Sequence, residues 1–209
     1  MARRPRYLEE RLLWEGGYLR VAGIDEAGRG PLAGPVVAAA VVLRRPLRLA
    51  GIDDSKRLTP EAREDLRAGI EARAEAIAWA RIEHDEIDRI NILQASFAAM
   101  LVALESLSEP PDFVLIDGPL APKGLRCPHR AIVDGDALCA SVAAASIVAK
   151  VERDRIMCAY DALYPGYGFA RHKGYSTPEH LEALERLGPC PIHRRTFHPL
   201  TPQFSLSLD

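Results

Sequence analysis

The chain alternates between short, nearly unbroken apolar runs and longer segments in which apolar residues recur at helical spacing. The apolar runs cover residues 19–25, 36–43 and 113–117. Runs of this length without polar alternation are typical of strands that are covered on both faces. Residues 76–83 and 131–133 are weaker strand candidates, because the first is rich in alanine and the second is brief. The pattern predicts a sheet buried between helical layers.

Helix signals separate these runs. Thr59-Pro60-Glu61 has the order of an N-cap, a first-turn proline and a first-turn acid. Asn91 opens a second helix with a capping-box pattern. A long helix is predicted over residues 137–163, and a last one over residues 177–188. This order of elements predicts an α/β fold with a mixed sheet and a small helical extension from about residue 169.

Composition indicates one soluble globular unit without an overall affinity for nucleic acid. The 209 residues are 48% hydrophobic and 27% charged, and the formal net charge is −2, so any contact with nucleic acid must come from local basic clusters. Such clusters occur at 44–48, 123–130, 171–173 and 193–195. Each cluster alone is more typical of a solvated surface than of a binding site.

The cellular setting predicted from the sequence is the cytoplasm. Residues 1–15 are charged and lack an apolar leader, and the longest apolar run is too short to span a bilayer. No membrane association is therefore expected. Four cysteines are scattered without C-x-x-C pairing, and we expect them to be free thiols.

Carboxylates stand at the ends of three predicted strands: Asp25 with Glu26, then Asp117, then Asp136. A single strand-end aspartate is usually a turn former or a helix cap, and Asp136 in particular could cap the long helix. Four acids at three such ends favour a shared site, because sites in α/β sheets gather beyond the carboxyl ends of the strands. Their mutual repulsion would be relieved by two divalent cations, Mg²⁺ or Mn²⁺.

A glycine-rich turn follows the first acid pair. Adjacent residues on a strand point to opposite faces, so Asp25 and Glu26 are expected to share a site only if the strand ends at Asp25 and the backbone bends there. Gly28 and Gly30 permit that bend and a close approach of ligand to backbone. Arg29 between them presents a fork that suits phosphate.

Two further segments could contact a ligand. Ser146, Lys150 and Asp154 are spaced i, i+4 and i+8, so they share one face of the long helix. Lys150 either reaches a ligand or pairs with Asp154, and the spacing leaves both open. The loop at 171–175 places Tyr175 beside cations, a combination that can stack on a base or sugar while the cations hold phosphates.

Taken together, these segments resemble the ribonuclease HII family. The matching blocks occur in the family's order across residues 20–197. They are Gly23–Pro35, Asp54–Lys56, Leu115–Gly118, Gly135–Asp136, Ala143–Asp154, His172–Thr177 and His193–Phe197. The resemblance implies a ribonuclease H-like fold with a central five-stranded mixed sheet flanked by helices. It also implies cleavage of RNA in RNA–DNA hybrids and of single ribonucleotides embedded in duplex DNA, by two-metal-ion hydrolysis that leaves 3′-hydroxyl and 5′-phosphate ends.

The resemblance also implies roles for particular residues. The catalytic and metal-binding acids are Asp25, Glu26, Asp117 and Asp136; Asp136 is preferred to Asp134 because it follows a glycine and directly precedes the long helix. The glycine turn is expected to bind the 2′-hydroxyl of the ribonucleotide, with its bare backbone as donor and acceptor. Tyr175 is expected to pack at the RNA-to-DNA junction. The nucleic-acid-binding residues so implied are Gly28, Arg29, Gly30, Lys56, Ser146, Lys150, His172, Lys173, Tyr175 and Arg195.

Three alternatives and a domain arrangement complete the interpretation. A ribonuclease HIII-like enzyme would carry an added N-terminal domain, for which about 18 residues before the first strand leave no room. A silent hybrid-binding protein would lack one of the four acids, and a small-molecule metal phosphatase would have no use for the basic clusters at 171–173 and 194–195. We expect a monomer with a catalytic domain at 1–168 and a substrate-binding extension at 169–209.

Overall fold

A computed structural model describes residues 7–44 and 59–200 of the chain. Lys56 and residues 201–209 therefore lie outside the described residues. The elements in chain order are α1 (Leu8–Glu15), β1 (Val21–Ala27), β2 (Val36–Leu43), α2 (Pro60–Glu71), β3 (Ala74–Ile82), α3 (His84–Ile90), α4 (Ile92–Glu105), β4 (Phe113–Asp117), β5 (His129–Ile132), α5 (Gly135–Leu138), α6 (Ala140–Leu163), α7 (Phe169–His172) and α8 (Pro178–Leu187).

The five strands form one mixed sheet in the order β3-β2-β1-β4-β5. β1 pairs antiparallel with β2 and parallel with β4, and β4 pairs parallel with β5. The predicted α/β fold with a five-stranded mixed sheet is confirmed. Its central strand is β1, the strand that delivers the first acid pair.

Helices cover both faces of this sheet. Alternate residues of β2 pack on opposite sides, with Ala38 and Ala40 in the cluster formed with α4, and Val37 and Ala39 in the cluster formed with α6. Every residue of β2 is buried, as expected for a strand without polar alternation. The small alanine side chains let both helices lie close to the sheet, which fixes the height of α6 above β1.

The predicted helix starts are confirmed by their caps. The Thr59 hydroxyl accepts a hydrogen bond from the Ala62 N–H, and the Thr177 hydroxyl accepts one from the His180 N–H. The Asn91 side-chain oxygen accepts from two N–H groups in the first turn of α4. Each cap satisfies donors that the helix itself leaves unpaired.

The predicted long helix is instead two helices. Cys139 has an extended backbone, with φ −113° and ψ 128°, and it separates the four-residue α5 from α6. The start of α6 is capped from the far end of the chain, because Glu10 of α1 accepts hydrogen bonds from the N–H and the hydroxyl of Ser141, at 2.8 and 2.7 Å. Local sequence contains no sign of a cap 131 residues away. The short helices α3 and α7 were also not predicted.

The C-terminal segment packs against the body of the protein. Tyr167, Phe169 and Ile192 share a buried cluster with Met157 of α6 and Ala33 of the β1–β2 loop. Two main-chain hydrogen bonds join the same parts: Leu32 N to Gly174 O at 2.8 Å, and Gly34 N to Ile192 O at 2.9 Å. This segment therefore supports the loop that follows the acid pair.

The four cysteines are free, as predicted. Within the described residues, no single helix is both long and apolar enough to cross a membrane. Only the bent pair α3 and α4, whose axes meet at 120°, reaches that length and apolarity together.

Candidate active site

Strand register brings two of the predicted acids to the same level. Ile24 of β1 is paired with Ile116 of the parallel strand β4, so the next residue on each strand, Asp25 and Asp117, stands at the same height. Adjacent parallel strands lie about 4.8 Å apart. The two carboxylates therefore meet at one edge of the sheet, as the strand-end pattern predicted.

Glu26 borders the same cavity, although the reason given for it from the sequence was wrong. β1 does not end at Asp25: its pairing with β2 continues regularly through Glu26 opposite Ala38 and Ala27 opposite Val37. The cavity, about 330 Å³ in volume, extends around the end of β1, so side chains from both faces of the strand reach it. Its lining residues are Asp25, Glu26, Ala27, Gly28, Arg29, Gly30, Asp117, Ser146, Lys150 and Tyr175.

Two of the acids in this cavity, Asp25 and Glu26, have raised pKa values. Burial raises the pKa of Asp25 well above its usual value, and the negative charges of Glu26 and Asp117 raise it further. Hydrogen bonds from the Ser146 side chain and from the Glu26 N–H, 2.7 Å from Asp25 Oδ1, act in the opposite direction. Burial also raises the pKa of Glu26, against the effect of the Arg29 guanidinium 3.1 Å away. The cavity therefore has a deficit of positive charge.

Asp136 lies next to Asp117, whereas its neighbour Asp134 faces solvent. The main-chain N–H of Asp136 donates to Asp117 Oδ1 over 3.3 Å, and Asp136 is 8% exposed. Asp134 is exposed and has a left-handed backbone, with φ 56°. The parallel pairing of β5 with β4 delivers this turn to the same edge of the sheet, since Ile132 is opposite Asp117.

The donor set fits a hard divalent cation. Three carboxylates border one open cavity, and carboxylate oxygens are the ligands that Mg²⁺ and Mn²⁺ prefer. Among the described residues, no three acidic, histidine or cysteine side chains are already arranged at ligating distances around one point. The raised pKa of Asp25 is the expected state of such a cluster without a counter-charge.

Lys150 pairs with Asp154, which was one of the two alternatives that the sequence left open. Its ammonium group donates a hydrogen bond to Asp154, and the same side chain lines the cavity. Burial lowers the pKa of Lys150, while Asp154 raises it. Arg63 also pairs with Asp154, at 3.4 Å. Asp154 thus holds the lysine at the cavity wall.

The 172–175 loop presents one of its side chains to the cavity and turns another inward. Tyr175 is 43% exposed, and its ring centroid lies 5.9 Å from the guanidinium carbon of Arg153. Both ring nitrogens of His172 are bonded within the protein: Nε2 to Tyr167 O at 2.7 Å, and Nδ1 to the Gly174 N–H at 3.2 Å. His172 is buried, so the structure gives it an internal position under the loop and no surface for nucleic acid.

The remaining predicted contacts lie outside the cavity lining. The Lys173 ammonium donates to Cys158 Sγ and to Ala170 O. Arg195 is exposed, and its N–H donates to Asp88 at 2.7 Å. Neither side chain lines the cavity, in contrast to Lys150.

Sequence analysis missed the two arginines that support the glycine turn. Arg153 and Arg194 are 1% and 0% exposed. The Arg194 guanidinium donates to main-chain carbonyls of the turn, and that of Arg153 donates to Ala33 O and Pro35 O at the other end of the same loop. Burial lowers the pKa of Arg153 to about 10 and that of Arg194 to about 9. Both were visible only as members of charged stretches, and nothing in those stretches marks them as buried.

Comparison with known proteins gives a consistent result. The family profile described as Ribonuclease HII matches residues 22–200. Ribonuclease HII of Geobacter sulfurreducens is 58% identical over 181 residues, which is 87% of this chain and 83% of that protein. Ribonuclease HII of Nitrosococcus oceani is 55% identical over 90% of this chain and 97% of its own length.

A solved structure shows the same similarity in three dimensions. The ribonuclease H2 of Pyrococcus horikoshii OT3 superposes with a TM-score of 0.73 and 32% sequence identity, covering 87% of this chain and 95% of that one.

Proposed function

This chain belongs to the ribonuclease HII family. From that premise we propose that it cleaves at single ribonucleotides in duplex DNA as well as within hybrids, and that its strand-end carboxylates form the catalytic site. The family assignment itself makes the chain an endoribonuclease that hydrolyses RNA in RNA–DNA hybrids. The observation that carries the proposal is that Asp25 and Asp117 stand at equivalent positions on adjacent strands and border one open cavity together with Glu26.

The proposed catalytic acids are Asp25, Glu26, Asp117 and Asp136. They would hold two divalent cations, Mg²⁺ or Mn²⁺, which supply charge neutralisation at the scissile phosphate and activation of water when bound. Ser146 supports this arrangement by its hydrogen bond to Asp25. The main-chain N–H of Asp136 orients Asp117 in the same way.

The proposed substrate contacts surround the acids. Arg29 and Lys150 border the cavity as cations and suit the phosphates on either side of the cut. Tyr175 offers an exposed ring for stacking on the sugar or base at the RNA-to-DNA junction. Gly30 leaves the backbone open to a 2′-hydroxyl beside Tyr175, whereas the missing side chain of Gly28 makes room for Arg153. Lys173 and Arg195 are proposed to supply positive charge farther from the acids. Lys56 stays a prediction from the resemblance. His172 is proposed to position the 172–175 loop.

We further propose that the protein acts as a monomer in the cytoplasm, with the helical extension from residue 169 contributing to substrate binding. Four free thiols fit a reducing compartment. The packing of Phe169 and Ile192 against Ala33, and the hydrogen bond from Arg194 to Gly28 O, support a shared role of the extension and the glycine turn in binding.

A defined duplex with one embedded ribonucleotide tests the proposed function. It is incubated with Mg²⁺, with Mn²⁺ and with a chelator, and the ends are mapped. We expect cleavage at the ribonucleotide, with 3′-hydroxyl and 5′-phosphate ends, and none with the chelator. Cleavage of a long RNA–DNA hybrid but not of this duplex would instead indicate a hybrid-only, ribonuclease HIII-like enzyme. Binding to both without cleavage would indicate a silent hybrid-binding protein.

A further inference from the structure

Two buried arginines, Arg153 of α6 and Arg194 of the C-terminal segment, lie against the loop that joins β1 to β2. They are among the largest fully buried side chains of the protein. In the described residues, neither has a carboxylate within ion-pair distance. A buried charge without a counter-charge is costly, so the bonds that these groups make instead are informative.

Each guanidinium group donates three hydrogen bonds to main-chain carbonyls. Arg194 bonds Gly28 O at 2.7 Å, Arg29 O at 3.0 Å and Gly34 O at 2.9 Å. Arg153 bonds Ala33 O at 3.1 Å, Pro35 O at 3.0 Å and Lys173 O at 3.0 Å. The two planar forks therefore fix the carbonyls at both ends of the loop.

These bonds determine which side of the glycine turn meets the substrate. The peptide groups of the turn are trans and planar, so each N–H points away from the carbonyl of the residue before it. Because the carbonyls of Gly28 and Arg29 point to Arg194, the N–H groups of Arg29 and Gly30 point away from Arg194. The cavity is bordered by Gly28, Arg29 and Gly30 but not by Arg194. The N–H groups of Arg29 and Gly30 are therefore on the side available to the substrate, whereas the carbonyls of Gly28 and Arg29 are engaged by Arg194 and do not supply the acceptor expected from the sequence.

Arg153 also connects the β1–β2 loop to Tyr175. Arg153 bonds the carbonyl of Lys173, two residues before Tyr175, and its guanidinium also lies 5.9 Å from the Tyr175 ring centroid. Arg153 also packs against Gly28, where a Cβ atom would lie 2.0 Å from its Nε. One buried side chain thus contacts both the glycine turn and the loop that carries Tyr175. A site with both parts held in advance does not lose binding energy to ordering them.

We propose that Arg153 and Arg194 are positioning residues for ribonucleotide recognition, which keep the main-chain N–H groups of Arg29 and Gly30 directed at a 2′-oxygen beside the stacked nucleotide. This inference rests on the proposed function, since it concerns selection of a ribonucleotide at the same cavity. Neither arginine touches the substrate. Their effect is on preference for a ribose over a deoxyribose at one position.

Lysine substitutions separate this role from a merely structural one. Arg194→Lys and Arg153→Lys keep the positive charge but lose the planar fork that bonds three carbonyls. Arg155→Lys is the matched control, because Arg155 lies on the same helix with an exposed guanidinium that pairs with Glu64 and Glu152. Thermal unfolding followed by circular dichroism identifies variants that remain folded at the assay temperature.

The preference is measured by competition. Single-turnover cleavage of a one-ribonucleotide duplex gives a half-saturating enzyme concentration, and an all-DNA duplex of the same sequence added as competitor gives an inhibition constant. The preference is the inhibition constant of the all-DNA duplex divided by the half-saturating enzyme concentration. We expect this ratio to fall about tenfold in folded Arg194→Lys and Arg153→Lys, because the half-saturating concentration rises while the inhibition constant stays the same. The ratio of Arg155→Lys should be unchanged. An unchanged ratio, or equal weakening of both duplexes, would overturn the proposal.

A second measurement covers a lysine variant that does not fold. Arg194→Ala is assayed with and without added guanidinium ion, which can refill the vacated position. Restoration of the ratio by the ion supports the positioning role, and a ratio that is the same with and without it overturns that role. If the unmodified enzyme does not cut the one-ribonucleotide duplex at all, the proposed function fails, which is a different outcome from a variant that cuts with unchanged preference.

Discussion

The main-chain N–H of Asp136 donates a hydrogen bond to Asp117 Oδ1 over 3.3 Å, and this contact joins the turn after β5 to the end of β4. It distinguishes Asp136 from Asp134, which is exposed two residues earlier. We therefore predict that Asp136→Asn lowers single-turnover cleavage by about a hundredfold, because a carboxylate is lost beside the other acids. Asp134→Asn is the matched control and should retain the unmodified rate. A larger loss in Asp134→Asn would reverse the assignment.

The paired strand-end acids should be needed for chemistry but not for binding. Asp25→Asn and Asp117→Asn each remove a negative charge from a cavity that has an excess of it. We expect cleavage to fall below about one hundredth of the unmodified rate, while affinity for a hybrid, measured by fluorescence anisotropy, stays the same or rises. Substantial cleavage in either variant would exclude that residue from the proposed metal-binding acids.

Gly28 should not tolerate a side chain, because a steric conflict adds to the conformational cost of its backbone. A Cβ atom at position 28 would lie 2.0 Å from Arg153 Nε, and the backbone there has φ +98°. Gly124 has the same φ of +98° with nothing within 4 Å of the corresponding position. We expect Gly124→Ala to cost about 1–2 kcal/mol of unfolding free energy without changing cleavage per folded molecule.

Gly28→Ala, by contrast, should lower both stability and cleavage, because the guanidinium group must move. Urea unfolding and single-turnover assays on the two alanine variants make the comparison. Equal behaviour of the two would show that the contact between Gly28 and Arg153 is unimportant.

Tyr175 should affect a lone ribonucleotide more than plain duplex. Its ring is 43% exposed at the cavity border, and stacking of a base on an aromatic ring contributes about 1–3 kcal/mol. Tyr175→Ala should therefore reduce cleavage at a single ribonucleotide by about fivefold to a hundredfold, while Tyr175→Phe retains the ring and most of the rate. Equal losses in cleavage and in binding to all-DNA duplex would contradict the junction role.

Buried histidines beneath the Tyr175 loop should make the protein less stable in mild acid. His193 Nε2 lies 3.0 Å from His180 Nε2, and burial lowers the pKa of His193 to about 4. Between about pH 6.5 and 4 the unfolded chain takes up a proton at this position that the folded chain does not. The free energy of unfolding should therefore fall as the pH decreases through that window, by as much as about 3 kcal/mol from this residue.

The measurement is urea unfolding at a series of pH values. His193→Gln removes the titrating group, so its unfolding free energy should depend less steeply on pH than that of the unmodified protein. His129→Gln, with an exposed ring, serves as the control and should keep the original slope. Identical slopes in all three proteins would show that His193 does not contribute.

The sheet and the acids could be predicted from the sequence because their signals are local. β2 is apolar throughout, and Asp25, Glu26 and Asp117 stand among the last residues of their strands, so burial and strand-end position can both be recognised from adjacent residues. The break at Cys139 could not be predicted in this way, since the cap of α6 comes from Glu10 at the other end of the chain. The roles of Arg153 and Arg194 are likewise hidden, because their partners are carbonyl groups, which every residue has.

The placement of Glu26 shows a different kind of failure. Strict alternation of strand faces predicted a bend at Asp25, but the strand continues and the cavity wraps its end. A pattern of two-residue periodicity describes the middle of a strand, where a layer covers each face. At the last residues of β1 the burial is only partial, at Glu26 and Ala27, and both of these residues border the same cavity as Asp25.

One helix, α6, holds Ser146 against Asp25, Lys150 at the cavity wall, and Arg153 under the glycine turn. Successive residues of an α-helix are rotated by about 100° about its axis and raised by about 1.5 Å. Inserting a single residue between Ser146 and Lys150 would turn the lysine and the arginine away together, along with the apolar residues of α6 that pack on β2. The geometry of a single helix therefore determines both the support of the catalytic acids and the position of the residues proposed to select the substrate.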